Sequence, residues 1–275
     1  MTQEAESEDS AVLSAKDISV CFGGLMALAR LSFSVNSREI LSVIGPNGAG
    51  KTTLLNAVTG VYPLYAGDIF FRKKRISGMK PFQIAAMGIS RTFQHAQLFM
   101  NMTVRENVMV GMHSRTTSGF MAGMLRPISE RREEALIREK SDALLNDFGL
   151  HSKAGLMAEN ICMLDQRRLE MARAMAAAPE ILLLDEPAAG LTMQEITELG
   201  DVILKLRERG QTIILVEHHM RLVMGISDTV IVLHHGSKIG EGTPKEIQKN
   251  PQVIDAYLGG YRVSEDSFRK AAGRR

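Results

Sequence analysis

Gly45-Pro46-Asn47-Gly48-Ala49-Gly50-Lys51-Thr52 has the spacing G-x-x-x-x-G-K-[S/T], and Thr53 follows it. Phosphate oxygens need close backbone approach, which glycines permit, and positive potential from successive N–H groups at a helix N-terminus. At this spacing Lys51 reaches the β- and γ-phosphates and the Thr52 hydroxyl suits Mg²⁺. The rival reading is a Gly-rich turn with no ligand. It is disfavoured by the setting, a short apolar strand pattern before the loop and a helix after it. Nucleotide binding is the function this loop predicts. A second pair, Asp185 and Glu186, ends the apolar run ILLL at 181–184. Two adjacent acids closing a strand are commonly solvated turn residues. In a chain with a phosphate loop they read instead as a Mg²⁺ ligand acting through water (Asp185) and a group polarising an attacking water (Glu186).

These groups need elements to hold them. Ile18, Val20 and Phe22 alternate with polar or small residues, as do Leu31, Phe33 and Val35, which predicts two half-buried antiparallel strands. ILSVI at 40–44 reads as a buried strand, and 68–71 as another. The middle of the chain is different. Residues 80–87 suit a helix with Pro81 early and Gly88 past its end, and Thr103-x-x-Glu106 is a capping box opening a second helix. Residues 129–147 read as a charged helix with a loose stripe of Leu136, Ile137, Leu144 and Leu145, and 112–128 as a surface excursion. From Ile181 the pattern becomes strand, helix, strand, helix, strand, with Ile196, Leu199, Ile203 and Leu206 on one helix face. That alternation predicts an α/β fold with a largely parallel sheet. Thr243-Pro244-Lys245-Glu246 is a further capping box. Residues 1–10 are expected to be disordered, and 263–275 to be a flexible basic tail.

Composition narrows the function classes. The chain has 275 residues, 45% hydrophobic and 23% charged, with a net charge of +2, so nothing marks it as a nucleic-acid binder. The acidic start MTQEAESEDS is no secretory signal, and no apolar run approaches the roughly 18 residues of a membrane span. The expected location is the cytoplasm, with any membrane association made through a partner. Cys21 and Cys162 make no metal spacing and read as buried small hydrophobes.

With these motifs in order, the chain resembles the ATP-binding subunits of ABC transporters over about residues 12–260. The resemblance implies a P-loop NTPase core with an N-terminal antiparallel β subdomain and an inserted α-helical subdomain, about 78–170 within a domain spanning 11–262. It implies ATP as nucleotide, with Mg²⁺ held by Thr52, Gln94 and Asp185. Phe22 falls where the family stacks an aromatic ring on adenine, and Gln94, in SRTFQ, where its Q-loop glutamine lies. Ala188-Ala189-Gly190-Leu191 takes the place of the D-loop, and His218, in LVEHH, that of the γ-phosphate-sensing switch histidine. Taken singly, Phe22, Gln94 and His218 would read as structural residues. The stretches DQRRLEMARAM, DEPAAGL, SRTFQ and VEHHMRLVMGISDTVIVLHHGSKIGEGTP narrow the resemblance to the subunits that energise branched-chain amino-acid uptake. The implied partners are a second ATP-binding subunit, in a hetero- or homodimer, permease subunits on the inner face of the membrane, and indirectly an external solute-binding protein. His219 stands where that group usually has Asp.

One departure is larger. The family signature falls on Ile161-Cys162-Met163-Leu164-Asp165, with Cys162 in place of a hydroxyl or small residue and Leu164 in place of a glycine. In the family this loop closes over the γ-phosphate held by the other subunit of a head-to-tail dimer. Cysteine is the weaker donor, and leucine adds bulk and does not readily take positive φ. The sequence therefore predicts an ATP-hydrolysing importer subunit whose degenerate loop impairs the site it shares with its partner. Two alternatives stand beside it. One is a nucleotide-gated module that hydrolyses little. The other is a soluble ABC ATPase acting on DNA or ribosomes, which the lack of a coiled-coil insertion and the near-neutral charge disfavour.

Overall fold

The computed structural model describes residues 11–92, 98–112 and 127–257, without the side chains of 127–134. Residues 1–10, Gln94, the segment 113–126 and the basic tail lie outside the described residues. In chain order the elements are β1 (Ala11–Phe22), β2 (Leu25–Asn36), β3 (Ile40–Ile44), α1 (Lys51–Val58), β4 (Ala66–Phe71) and β5 (Lys74–Arg75). Next come α2 (Pro81–Ala86), β6 (Ile89–Arg91), α3 (Val104–Met112), α4 (Pro127–Asp147), α5 (Met163–Ala176), β7 (Ile181–Asp185) and α6 (Met193–Glu208). The last are β8 (Thr212–Val216), α7 (Met220–Ile226), β9 (Thr229–His234), β10 (Ser237–Gly242) and α8 (Pro244–Ile247). Two compact units divide the chain: one runs to Pro81 and resumes at Thr212, the other is Phe82–Gln211.

In the first unit, β1 pairs antiparallel with β2 and β4, as its alternation predicts, in a sheet ordered β2-β1-β4-β5. A second set of strands has β3 parallel to both β8 and β9, with β10 antiparallel at the edge. Every residue of β3 and β8 is buried. This is why these strands are nearly all apolar, with Ser42 and Thr212 the exceptions: strands covered on both faces have no side to give to water. Ile44, at the end of β3, packs with Val223, Val230, Val232, Ile247 and Val253, and Tyr257 lies against this cluster.

The second unit pairs β6 with β7 in parallel and carries α3 to α6. The capping box at Thr103 forms: its N–H donates to Glu106 Oε2 at 2.7 Å and its hydroxyl accepts from the Glu106 N–H at 3.2 Å. Two more close at Thr192 with Glu195 and at Thr243 with Glu246. The face of α6 is as expected, with Ile196, Leu199, Ile203 and Leu206 buried. In α4 the buried positions are Ser141 and Leu145, continued by Phe148, whereas Leu136 is 50% exposed. Ile137 and Leu144 are half-buried, so of the expected stripe only Leu136 turns to water.

Candidate nucleotide-binding and hydrolysis site

The loop after β3 is a tight cradle. Gly45 has φ 153°, and a Cβ there would lie 2.2 Å from the Leu233 carbonyl oxygen, so no side chain fits. Gly50 has φ 104° at the N-cap of α1, where a Cβ would come within 2.8 Å of the Ala27 carbonyl and of Leu28. The turn closes with Ala49 N–H donating to the Pro46 carbonyl at 3.1 Å, while Gly236 N–H donates to the Ala49 carbonyl at 3.1 Å. Lys51 is only 6% exposed, and its ammonium folds over the loop, donating to the Gly45 and Pro46 carbonyls at 2.8 and 3.0 Å. Asn47, Gly48 and Thr52 face outward, and Thr53 is half-buried. An ammonium held across a ring of N–H donors, with a hydroxyl beside it, suits polyphosphate oxygens.

The same unit holds two more expected residues. Phe22 is 43% exposed and meets Tyr62 edge-on, ring centroids 4.9 Å apart, leaving it accessible to a flat partner. His218 follows β8, with its side chain 50% exposed. Its backbone is fixed by Glu217, a fully buried carboxylate whose Oε2 accepts the N–H of His218 at 2.8 Å and of His219 at 3.1 Å. Glu217 is a positioning group that the sequence reading passed over. Its signal was present: an acid directly after a fully apolar strand needs partners when buried.

In the second unit Asp185 closes β7 at 1% exposure and Glu186 follows with φ 48°. A left-handed backbone on a non-glycine residue costs of order 1–3 kcal/mol and concentrates at working sites. Asp185 Oδ2 accepts from Arg91 Nη2 at 2.7 Å, while among the described residues its buried Oδ1 has no hydrogen-bond partner. A buried carboxylate with one oxygen satisfied and the other not is a ligand suited to a hard divalent cation. Arg91 was quoted within SRTFQ and given no role, because its partner lies far away in sequence.

The signature loop resolves into two faces. Ile161 and Leu164 are 7% and 5% exposed, whereas Met163 is 50% exposed and Cys162 is exposed. Two expectations need correction. Leu164 sits in the first turn of α5 and is not among the positive-φ residues, so the helix takes its side chain into the core with no backbone strain. Cys162 is not a buried hydrophobe, and Cys21 is only half-buried. Cys162 is the N-cap of α5, with extended backbone (φ −66°, ψ 164°) and no side-chain cap bond. Its thiol instead donates to Asp165 Oδ2 at 3.2 Å. Asp165, 2% exposed, also accepts from Lys153, and this bond raises the Lys153 pKa above its ordinary value. The arginines of QRR are braces: Arg167 donates to the Ala189 carbonyl of the 188–191 turn at 3.3 Å, and Arg168 reaches Glu198 on α6 at 3.1 Å.

A strand, a glycine cradle closed by a lysine, and a helix, in a chain whose other unit ends a buried strand in two acids, define a P-loop nucleotide-binding protein. The ABC transporter family profile matches residues 28–189, and a profile for branched-chain amino acid ATP-binding cassette transporters matches 237–262. The chain belongs to the ABC transporter family. It is 46% identical over 249 residues to the high-affinity branched-chain amino acid transport ATP-binding protein LivG of Salmonella typhimurium, covering 90% of this chain and 98% of that one. BraF of Pseudomonas aeruginosa, with the corresponding description, is 41% identical over the same shares. Among solved structures, the ADP conformation of an ATP-binding cassette of an ABC transporter superposes with a TM-score of 0.80 at 30% identity, covering 90% of this chain and 99% of that one.

Proposed function

We propose that this chain is the ATP-hydrolysing subunit of an importer for branched-chain or related amino acids, working through permease subunits. The observation that carries the reading is the Gly45–Thr52 cradle with Lys51 folded across it, in a chain that covers 98% of the LivG sequence. Among the described residues no helix is long and apolar enough to cross a membrane, so force must reach the permeases by contact. A cleft of about 310 Å³ lined by Arg91, Phe99, Gly111, Glu170 and Arg173 is a surface on which a permease element could seat.

In this reading Phe22 stacks on adenine, the 45–50 N–H groups hold phosphates, and Lys51 and His218 stabilise γ-phosphate charge. Glu186 orients the attacking water. Thr52, Asp185 and Gln94 would hold Mg²⁺, whose charge offsets that developing on the transferred phosphoryl group. Closure of a dimer with a second ATP-binding subunit brings that subunit's signature over this chain's ATP, and the 161–165 loop over the partner's. An intact set of hydrolytic residues beside a weak signature supports one competent and one impaired site in a heterodimer. Glu186→Gln in the reconstituted complex should lower ATP turnover by about 10²-fold or more while leaving ATP binding intact. Undiminished turnover would remove Glu186 from its role. ATP-independent uptake in vesicles would remove the importer reading.

A further inference from the structure

Asp185 is placed by its strand but aimed by another. The ends of β6 and β7 are tied at the main chain: Arg91 registers with Leu183, and Thr92 N–H donates to the Leu183 carbonyl at 2.9 Å. The Asp185 N–H in turn reaches Thr92 Oγ1 at 3.4 Å. With the backbone set, the remaining freedom is the plane of the carboxylate. Arg91 Nη2 takes Oδ2 at 2.7 Å, with the two side chains only 8% and 1% exposed. Oδ1 stays buried and, among the described residues, unpartnered. A planar guanidinium pinning one oxygen of a carboxylate fixes where the other points.

We propose that Arg91 is the positioning residue of Asp185: it holds Oδ2 and presents Oδ1 to the Mg²⁺ of the bound nucleotide. The inference rests on the ATP–Mg²⁺ reading above. Two competing roles make different predictions. If Arg91 were only a counter-charge, its removal would strengthen the field at Asp185 and tighten Mg²⁺. If it were only packing, its loss would weaken the fold and leave the metal dependence where it was. Positioning predicts weaker Mg²⁺ binding in a folded protein, because partners that orient a ligating carboxylate are worth about 10–100-fold in metal affinity or activity.

The test is binding of a fluorescent non-hydrolysable ATP analogue to the full chain, in EDTA and across a Mg²⁺ titration, with melting curves to verify folding. In Arg91→Met the affinity in EDTA should stay within about twofold of wild type, while the Mg²⁺ needed for half the metal-dependent change rises about 10–100-fold. Arg91→Lys keeps the charge but loses the planar fork, so its rise should be smaller, about three- to tenfold. Should Arg91→Met fail to fold, Arg91→Lys decides alone: a rise supports the proposal and an unchanged value overturns it. Combining Arg91→Met with Asp185→Asn should add no further loss of Mg²⁺ affinity over Asp185→Asn, since positioning reaches the metal through that carboxylate. An unchanged or lowered Mg²⁺ requirement in folded Arg91→Met overturns the proposal. A wild-type chain with no Mg²⁺-dependent binding would instead overturn the ATP–Mg²⁺ reading on which it stands.

Discussion

Cys162→Ser changes one atom at the N-cap of α5, and the geometry gives it two separable effects. The cap already has the extended backbone that serine favours, yet its side chain accepts no first-turn N–H. Sulfur is a weak acceptor and the thiol is directed instead at Asp165 Oδ2, 3.2 Å away. A serine there can accept the N–H of Asp165, the third helical residue, and caps of this kind are worth about 0.5–2 kcal/mol. Lys153 keeps its bond to Asp165, and Cys162 is exposed, so no cavity term opposes the gain. A net stabilisation of about 1 kcal/mol raises the melting temperature of a chain this size by about 2–4 °C. The second effect belongs to the assembled dimer. A missing donor to developing charge costs about 10²–10³ in rate, so if one of two ATP sites is impaired, restoring it should raise total turnover about twofold. Differential scanning fluorimetry of the subunit and steady-state ATPase of the complex read the two separately. A higher melting temperature with flat turnover would refute the impairment while keeping the cap. No change in either would refute the whole argument.

Leu164→Gly is expected to fail where sequence comparison would call it a repair. It empties a site only 5% exposed, and leucine truncation in cores costs about 2.7–5 kcal/mol; urea unfolding should show that loss, with no gain in ATPase. For pH, the N3 carboxylates Glu195 and Glu246 have pKa values held below their ordinary 4.5, first by the backbone N–H of Thr192 or Thr243 and then by its hydroxyl. A depressed folded pKa means the caps contribute fully above 4.5 and are lost as pH falls through the lower folded value. Protection factors for amide exchange in the first turns of α6 and α8 should therefore fall only below pH 4.5, and equal protection factors down to pH 3 would contradict it.

The parts legible in the sequence are those whose physics is local. The cradle at 45–52 is fixed by glycine stereochemistry and one charge, and the capping boxes at Thr103 and Thr243 by side chains reaching their own helix's first turn. Buried strands such as β3 and β8 announce themselves as short, mostly apolar runs. The short strands β5 and β6 did not, because a two- or three-residue ladder has no period to read. Charge partners were equally silent. Asp165 and Lys153, or Arg91 and Asp185, meet only once the second unit has folded, and each half alone resembles an ordinary surface charge.

That distinction governs the signature loop. Read as a string, ICMLD is four apolar residues and an acid, and Cys162 and Leu164 are its two serious departures. Helical geometry separates them by direction, since Ile161 and Leu164 point inward and Cys162 and Met163 outward. Leu164 then becomes the hydrophobic anchor of the first turn. Of the two departures, Cys162 and Leu164, only Cys162 turns its side chain outward. The first-turn N–H groups of α5 remain in helical geometry behind it, and the partial positive charge of that helix end survives any side chain placed at its cap. What the cysteine removes is one donor. If the shared site is impaired, a loss of that kind is graded, and Cys162→Ser is the change expected to reverse it.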